Sequence, residues 1–323
     1  MRPERTLQTF HLQDIDLANQ EFRISFGRPF PRLRQSIRSH GIIDPPLVYY
    51  PPLKQTCQVV TGFRRLEFAA ELGIHEVACL LITEETPGED LLLLSFHEHV
   101  GKRELNEAEK AIILSKLDNI FSREEVVGGF LPLLGLEPSV TVLNGYLQLA
   151  GLEKNILLAL AEKQLDKNTA LELSRVEEES RKRLTNILIA LKCSASIQKE
   201  IVVNVIEIAI REQKAIPDIL EEPELQQIID SGDLNRRQKA NHVRRYLRKR
   251  RYPILTQHEN EFKEKLEALN LPGGIAIKPP PYFEGERWQA EIAFKDPDHL
   301  KKKLIRLKKL IESEKLHTLG NWE

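Results

Sequence analysis

The chain has 323 residues, room for two or three domains rather than one small one. Hydrophobic residues make up 41% and charged residues 29%, the balance of a soluble globular protein, and a net charge of −1 means that the molecule as a whole is not a basic nucleic-acid binder. It has no run of about 18 apolar residues that would suggest a membrane span, and the polar residues 1–10 lack a signal-peptide core, so a cytoplasmic location is expected.

Residues 6–105 mix short strands and helices. The stretches 46–50 and 57–60 read as strands separated by a Pro/Lys turn. Residues 63–72 read as a helix, with Leu66, Ala69, Ala70 and Leu72 on or near one face and Gly73 ending it. Residues 77–82 are a candidate buried strand, and 91–99 is apolar before turning polar. The three cysteines, Cys57, Cys79 and Cys193, are far apart, which points to packing rather than to a disulfide or structural zinc.

From Asn106 to about Arg251 the pattern is nearly all helical. Asn106 and Glu109 have the spacing of a capping box. Within about 122–150, a short helix, a turn at Gly135 and a second helix opened by Pro138 and Ser139 suggest a helix-turn-helix. Helices are expected over 154–162, 168–176, 178–191, 196–213, 217–220 and 223–231, then a very basic one over 235–251 that Pro253 stops. Beyond it, 257–269 has helical spacing and Ile275 and Ile277 lie on a strand. Trp288, Ala290, Ile292 and Phe294 alternate as on a half-buried strand, and Asp296 caps a last helix carrying Leu300, Leu304, Leu307 and Ile311. A helix–strand–strand–helix unit this small buries little by itself, so pairing with a second copy is the expected solution.

Three stretches stand out. The first is Ser36-Ile37-Arg38-Ser39-His40-Gly41-Ile42-Ile43-Asp44-Pro45, with Arg23 upstream. The second is Thr61-Gly62-Phe63-Arg64-Arg65, and the third Glu98-His99-Val100-Gly101-Lys102. In the second, Gly62 lies between a strand and a helix. The free N–H groups and partial positive charge of a helix N-terminus suit phosphate, and two arginines add forked donors. The plainer reading is an ordinary helix start with two solvated arginines.

In order and spacing, these stretches resemble the ParB family of chromosome and plasmid partition proteins. The resemblance spans nearly the whole chain and implies an α+β multidomain architecture. Residues 1–105 would form a small ParB/sulfiredoxin-like nucleotide-binding domain, 106–252 an all-α helix-turn-helix domain with the basic helix 235–251, and 253–323 a small αββα dimerisation domain. It implies CTP and Mg²⁺ as ligands. The nucleotide would be held by Arg23, Gly41, Ile42, Pro45, Thr61, Gly62, Phe63, Arg64, Arg65, Glu98 and His99. Glu98 and His99 would hold the metal, and Glu98 would support slow CTP hydrolysis. Double-stranded DNA, a second copy of the chain and a ParA-type ATPase are the implied partners, with a nucleoid- or plasmid-associated location.

The sequence also departs from the family. Phe63 stands where the family has Glu, His99 where it has Asn and Lys102 where it has Arg. Imidazole is a poor magnesium ligand, so hydrolysis is a weaker expectation than binding. On a strand, His97 and His99 would share a face and could suit zinc or manganese, but no third ligand is visible at a telling spacing. For DNA, the second helix of the helix-turn-helix offers Ser139, Thr141, Asn144 and Gln148 but no Arg or Lys, leaving Arg237, Arg244, Arg248 and Arg251 as the source of phosphate contacts. Lysines flank the apolar stripe of the last helix, which reads as a dimer seam. Two alternatives stay open: a ParB-fold enzyme such as a nuclease or kinase, and a nucleotide-independent transcription or adaptor protein.

Overall fold

The structure, a computed structural model, describes residues 3–27, 30–52 and 56–312. The turn expected between the strands at 46–50 and 57–60 lies partly outside these residues. Among the described residues, no helix is long and apolar enough to cross a membrane.

The N-terminal part folds as β1 (Thr6–His11), β2 (Ile15–Asp16), α1 (Pro31–His40), β3 (Leu47–Tyr49), β4 (Cys57–Thr61), α2 (Phe63–Glu71), β5 (Glu76–Ile82) and α3 (Gly88–Lys102). The strands form a five-stranded mixed sheet in the order β1-β5-β3-β4-β2. β1 is antiparallel to β5 and β3 antiparallel to β4, whereas β3–β5 and β2–β4 are parallel.

Side chains alternate between the faces of the sheet, as the period of a strand requires. Val48, Cys57, Val59, Val77, Cys79 and Leu81 pack with Phe63, Leu66 and Ala69 of α2. From the opposite face, Leu47, Tyr49, Val60 and Ile82 join Leu91, Leu92 and Phe96 of α3 in a second core. That core does not stop at residue 105. It continues through Leu105, Ala108, Ile113 and Leu117 and on as far as Leu247.

The helical part comprises α4 (Glu107–Asp118), α5 (Arg123–Glu125), a π-helical turn (Val126–Phe130), α6 (Leu131–Leu133), α7 (Val140–Ala150), α8 (Lys154–Ala161), α9 (Lys167–Leu173), α10 (Glu178–Leu191), α11 (Ala195–Glu212), α12 (Ile216–Leu220), α13 (Pro223–Asp230) and α14 (Arg236–Arg251). The chain then runs through α15 (Pro253–Ala268), the antiparallel hairpin β6 (Ile275–Lys278) and β7 (Gln289–Ile292), and α16 (Pro297–Glu312). This last segment adds nothing to either large core, and α15 has no buried residue.

The basic helix ends at Arg251 ahead of Pro253, as expected: Tyr252, restricted by the proline after it, leaves the helix at φ −123° and ψ 66°, and Pro253 then opens α15 as its first residue, where a missing N–H costs nothing. One expectation is corrected: His97 and His99 do not lie on a strand. They belong to α3, where residues two apart point roughly 200° away from each other. The signal was present, because Leu91, Leu92, Ser95 and Phe96 are buried at helical spacing.

One carboxylate ties the sheet to the helices. Glu109 is fully buried and closes the expected capping box, accepting the Asn106 N–H at 2.9 Å. It also accepts the Phe26 N–H at 3.1 Å and both arms of the Arg103 guanidinium at 2.7 Å. Burial works to raise its pKa, but the hydrogen bonds and charge of Arg103, helped by the two backbone donors, outweigh it and hold the carboxyl below its usual range. The stability it contributes is therefore present above its unfolded value near 4.5 and is lost as pH falls through the lower folded value. Glu109→Ala, which strands Arg103, is expected to cost about 3–5 kcal/mol in urea unfolding at neutral pH, and the loss should shrink in acid.

Candidate nucleotide and DNA sites

β4 ends at Thr61, and the chain turns into α2 through Gly62 at φ 91°. A Cβ there would lie 2.8 Å from the Cβ of Pro46, so conformation and space both demand glycine. Gly41, at φ 71°, closes α1 with its N–H on the Ile37 carbonyl at 2.9 Å. These two turns and the last turns of α3 surround a cavity of about 300 Å³.

Of the residues expected to bind nucleotide, Gly41, Ile42, Gly62, Phe63, Arg64, Arg65, Glu98 and His99 line this cavity. Pro45 and Thr61 do not. They line a smaller cleft of about 190 Å³ on the far side of Glu98. Arg23 lies outside both, because Glu67 grips its guanidinium at 2.5 and 3.0 Å and the Ser25 carbonyl accepts its Nε–H at 3.1 Å. Among the wall residues left out of the sequence-based site are Asp44, Lys102 and Arg103, with Phe30, Leu33 and Ile37 as an apolar side. Asp44, Lys102 and Arg103 stood in or beside the motifs, but only the fold brings them to one wall.

Phe63 is 2% exposed and belongs to the core under α2, so this position serves packing. Arg64 and Arg65 divide their work. Arg64 lies 5.7 Å over the Phe30 ring, and its Nε is buried without a hydrogen bond. Burial, then the charge of Arg23, presses its pKa down against the pull of Glu67. An anion beside Arg64 would relieve both stresses. Arg65 donates to Glu98 at 3.1 Å, to the Asp44 carbonyl at 2.5 Å and to the Asp44 carboxylate.

Burial tends to raise the Glu98 pKa. Hydrogen bonds from Lys102 and Thr61 and the charge of Arg65 outweigh it, so the group is a carboxylate at neutral pH. Its Oε2 is buried and makes no hydrogen bond of ordinary geometry, although Thr61 is close enough to influence the titration. Burial holds the His99 pKa down, and the ring faces the Ser95 carbonyl through Nδ1 at 2.8 Å. The neutral ring then donates Nδ1–H and keeps Nε2 as an acceptor.

The expected magnesium site does not fit these residues. His99 is a nitrogen donor already oriented by Ser95, and Glu98 has Lys102 and Arg65 against it. Magnesium beside a triphosphate usually takes one or two protein carboxylates together with waters and phosphate oxygens, and here the carboxylate expected to hold it already carries two cations. Among the described residues, no group of three or more His, Cys, Asp or Glu could hold a metal.

On the helical side, Ser139 caps α7, its Oγ accepting the Thr141 N–H at 3.2 Å. Leu143, Tyr146 and Leu149 are buried, which leaves Thr141, Asn144 and Gln148 exposed together on the other face. The cation missing from that stretch comes from an earlier helix, because Arg123 of α5 reaches Asn144 Oδ1 at 3.3 Å.

In the basic helix α14, three of the four expected arginines are paired with acids. Arg244 pairs with Glu200 at 2.5 Å and Arg248 with Glu259 at 2.7 Å, while Arg251 pairs with Glu207 and donates to Asn204 at 2.8 Å. These three are therefore not an uncommitted basic face. Glu200 and Glu207 lie on α11 and Glu259 on α15, so only the packing of those helices on α14 reveals the neutralisation. Arg237 is exposed, and so are Arg245 and Lys249, which lie opposite the buried Ala240, Val243 and Leu247.

No known family's sequence profile matches the chain, and no curated protein matches it. Solved structures do. Three of the matches are to ParB proteins. One is the C-terminally truncated chromosome-partitioning protein ParB from Caulobacter crescentus complexed with CTP-γ-S, at 20% identity over 57% of this chain and 99% of that one, with a TM-score of 0.24. The same protein complexed to the centromeric parS site matches at 17% identity over 59% and 96%, with a TM-score of 0.32. A Pnob8-like ParB-N domain matches at 14% identity over 78% and 99%, with a TM-score of 0.34.

The Gly62 turn yields a direct test. Gly62→Ala puts a side chain into left-handed backbone and against Pro46. It is expected to destabilise the protein by at least about 1–2 kcal/mol in urea unfolding, whereas Gly101→Ala, with open space around it in α3, is expected to cause no loss.

Proposed function

We propose that this chain is a ParB-like DNA-binding protein whose DNA association is regulated by a nucleoside triphosphate held in the cavity at the start of α2. The observation that carries the reading is the convergence of Arg64, Arg65, Lys102 and Arg103 on one wall, beside the free backbone N–H groups of a helix N-terminus that only glycine can open. Asp44 and Glu98 answer Arg65 and Lys102, and Glu109 answers Arg103, while the buried Nε of Arg64 has no acceptor, so the wall favours an anion beside Arg64.

In this reading Arg64 and Arg65 fork the phosphates, and the α2 N-terminus binds them through its backbone. Phe30, Leu33 and Ile37 offer an apolar side to the base. CTP is the nucleotide that the motif resemblance implies. The units at work would be 1–105 for nucleotide, 106–252 for DNA and 253–323 for pairing of two copies. Pairing is supported by the exposed apolar residues Leu304, Ile305 and Ile311 on α16, a helix whose one buried residue is Lys303. For DNA, the exposed face of Thr141, Asn144 and Gln148 would read bases, with Arg123, Arg237, Arg245 and Lys249 on phosphates. A ParA-type ATPase and a nucleoid- or plasmid-associated location follow from the resemblance alone.

The second reading, a DNA-binding dimer that ignores nucleotide, is favoured by the burial of Phe63 in the core and by the internal pairing of Arg65 and Lys102. Thermal unfolding with CTP, ATP, GTP and UTP separates the two. CTP at about 100 times its Kd is expected to add about 2.7 kcal/mol, and Arg64→Ala should abolish the shift. No shift with any nucleotide would leave the second reading.

DNA binding has its own measurement. The slope of log K against log salt should fall by about 0.9 for each phosphate that a variant no longer neutralises. Arg237→Ala, Arg245→Ala and Lys249→Ala are each expected to reduce it, and an unchanged slope would exclude these residues of α14 from the contact.

A further inference from the structure

We propose that the site takes its triphosphate without a divalent cation, the Lys102 ammonium and the Arg65 guanidinium supplying the charge that a metal would bring. This rests on the nucleotide reading above and goes beyond it. The two carboxylates on the cavity wall converge on a single point, and a side chain fills that point. Lys102 Nζ lies 2.7 Å from Glu98 Oε1 and 2.7 Å from Asp44 Oδ2. Arg65 bridges the same two residues, donating to Glu98 at 3.1 Å and to the Asp44 carboxylate.

Convergent carboxylate oxygens are what a divalent ion needs. Here a tethered cation holds them, and a magnesium ion on the same oxygens would face two positive charges within a few ångströms. The arrangement is built in. Lys102 sits four residues after Glu98 on α3, a spacing that presents both on one side of the helix. The two carboxylates differ in freedom, with the Glu98 side chain 22% exposed and that of Asp44 61% exposed. An arriving phosphate can displace Asp44, while Glu98 keeps Lys102 and Arg65 aimed into the cavity. Burial acts to lower the Lys102 pKa, but its bonds to Asp44 and Glu98 outweigh it and raise the value, so the ammonium persists at neutral pH.

The test is calorimetric titration of the full chain with CTP and, separately, with inorganic tripolyphosphate, each in magnesium and in excess EDTA. The expected Kd agrees between the two buffers within about twofold. Lys102→Met should bind about tenfold or more weakly in EDTA and regain affinity when magnesium is added. Its melting temperature without ligand checks the fold, since the native side chain is half-exposed. Binding by the native chain that vanishes in EDTA would overturn the inference alone, as would a Lys102→Met chain that titrates like the native one. Failure of both probes in both buffers would overturn the nucleotide reading and this inference with it.

Discussion

The buried Glu109 carboxylate is the constraint on which the arrangement turns. Three separate stretches meet on its two oxygens: the Phe26 backbone of the loop after β2, Arg103 at the end of α3, and the Asn106 cap that starts α4. A charge in this position is tolerated because every direction is answered by a donor. Arg103 links it to the cavity wall, so the cation nearest the helical part is fixed by a residue that never touches the cavity.

The cavity follows the same economy. Acids on its wall and in the fold around it hold its cations. Glu67 takes Arg23 and touches Arg64, Glu98 takes Arg65 and Lys102, and Glu109 takes Arg103. Each pair sets a geometry as well as balancing a charge, and the half-exposed ones contribute little to stability. What distinguishes Arg64 is a buried Nε with no answering acceptor.

The sequence shows best what is local and periodic. The apolar spacing of α2, the Asn106 cap, the span of α10 and the short apolar runs of β3, β4 and β5 all follow from neighbours a few residues apart. β1 escaped because it is an edge strand with mostly exposed side chains, and α1 because its charged and polar residues show only Ile37 as buried. At the site, the motifs marked Gly62, Arg64, Arg65 and Glu98, which do share a cavity. The pairing of Arg23 was not legible because Glu67 lies 44 residues away on α2, nor was that of Arg244, Arg248 and Arg251, whose acids arrive on α11 and α15. Choice of partner across such separations is made by tertiary packing, to which residue type and spacing are blind.

The core that runs from β3 and α3 through α4 to Leu247 bears on how such a molecule could move. Swinging the sheet away from the helices would open apolar surface at about 25 cal/mol for each Å², besides stranding Glu109. Sheet and helices are geared together rather than joined by a slack hinge. Relative motion would therefore fall most cheaply at α15, which has no fully buried residue, between body and tail.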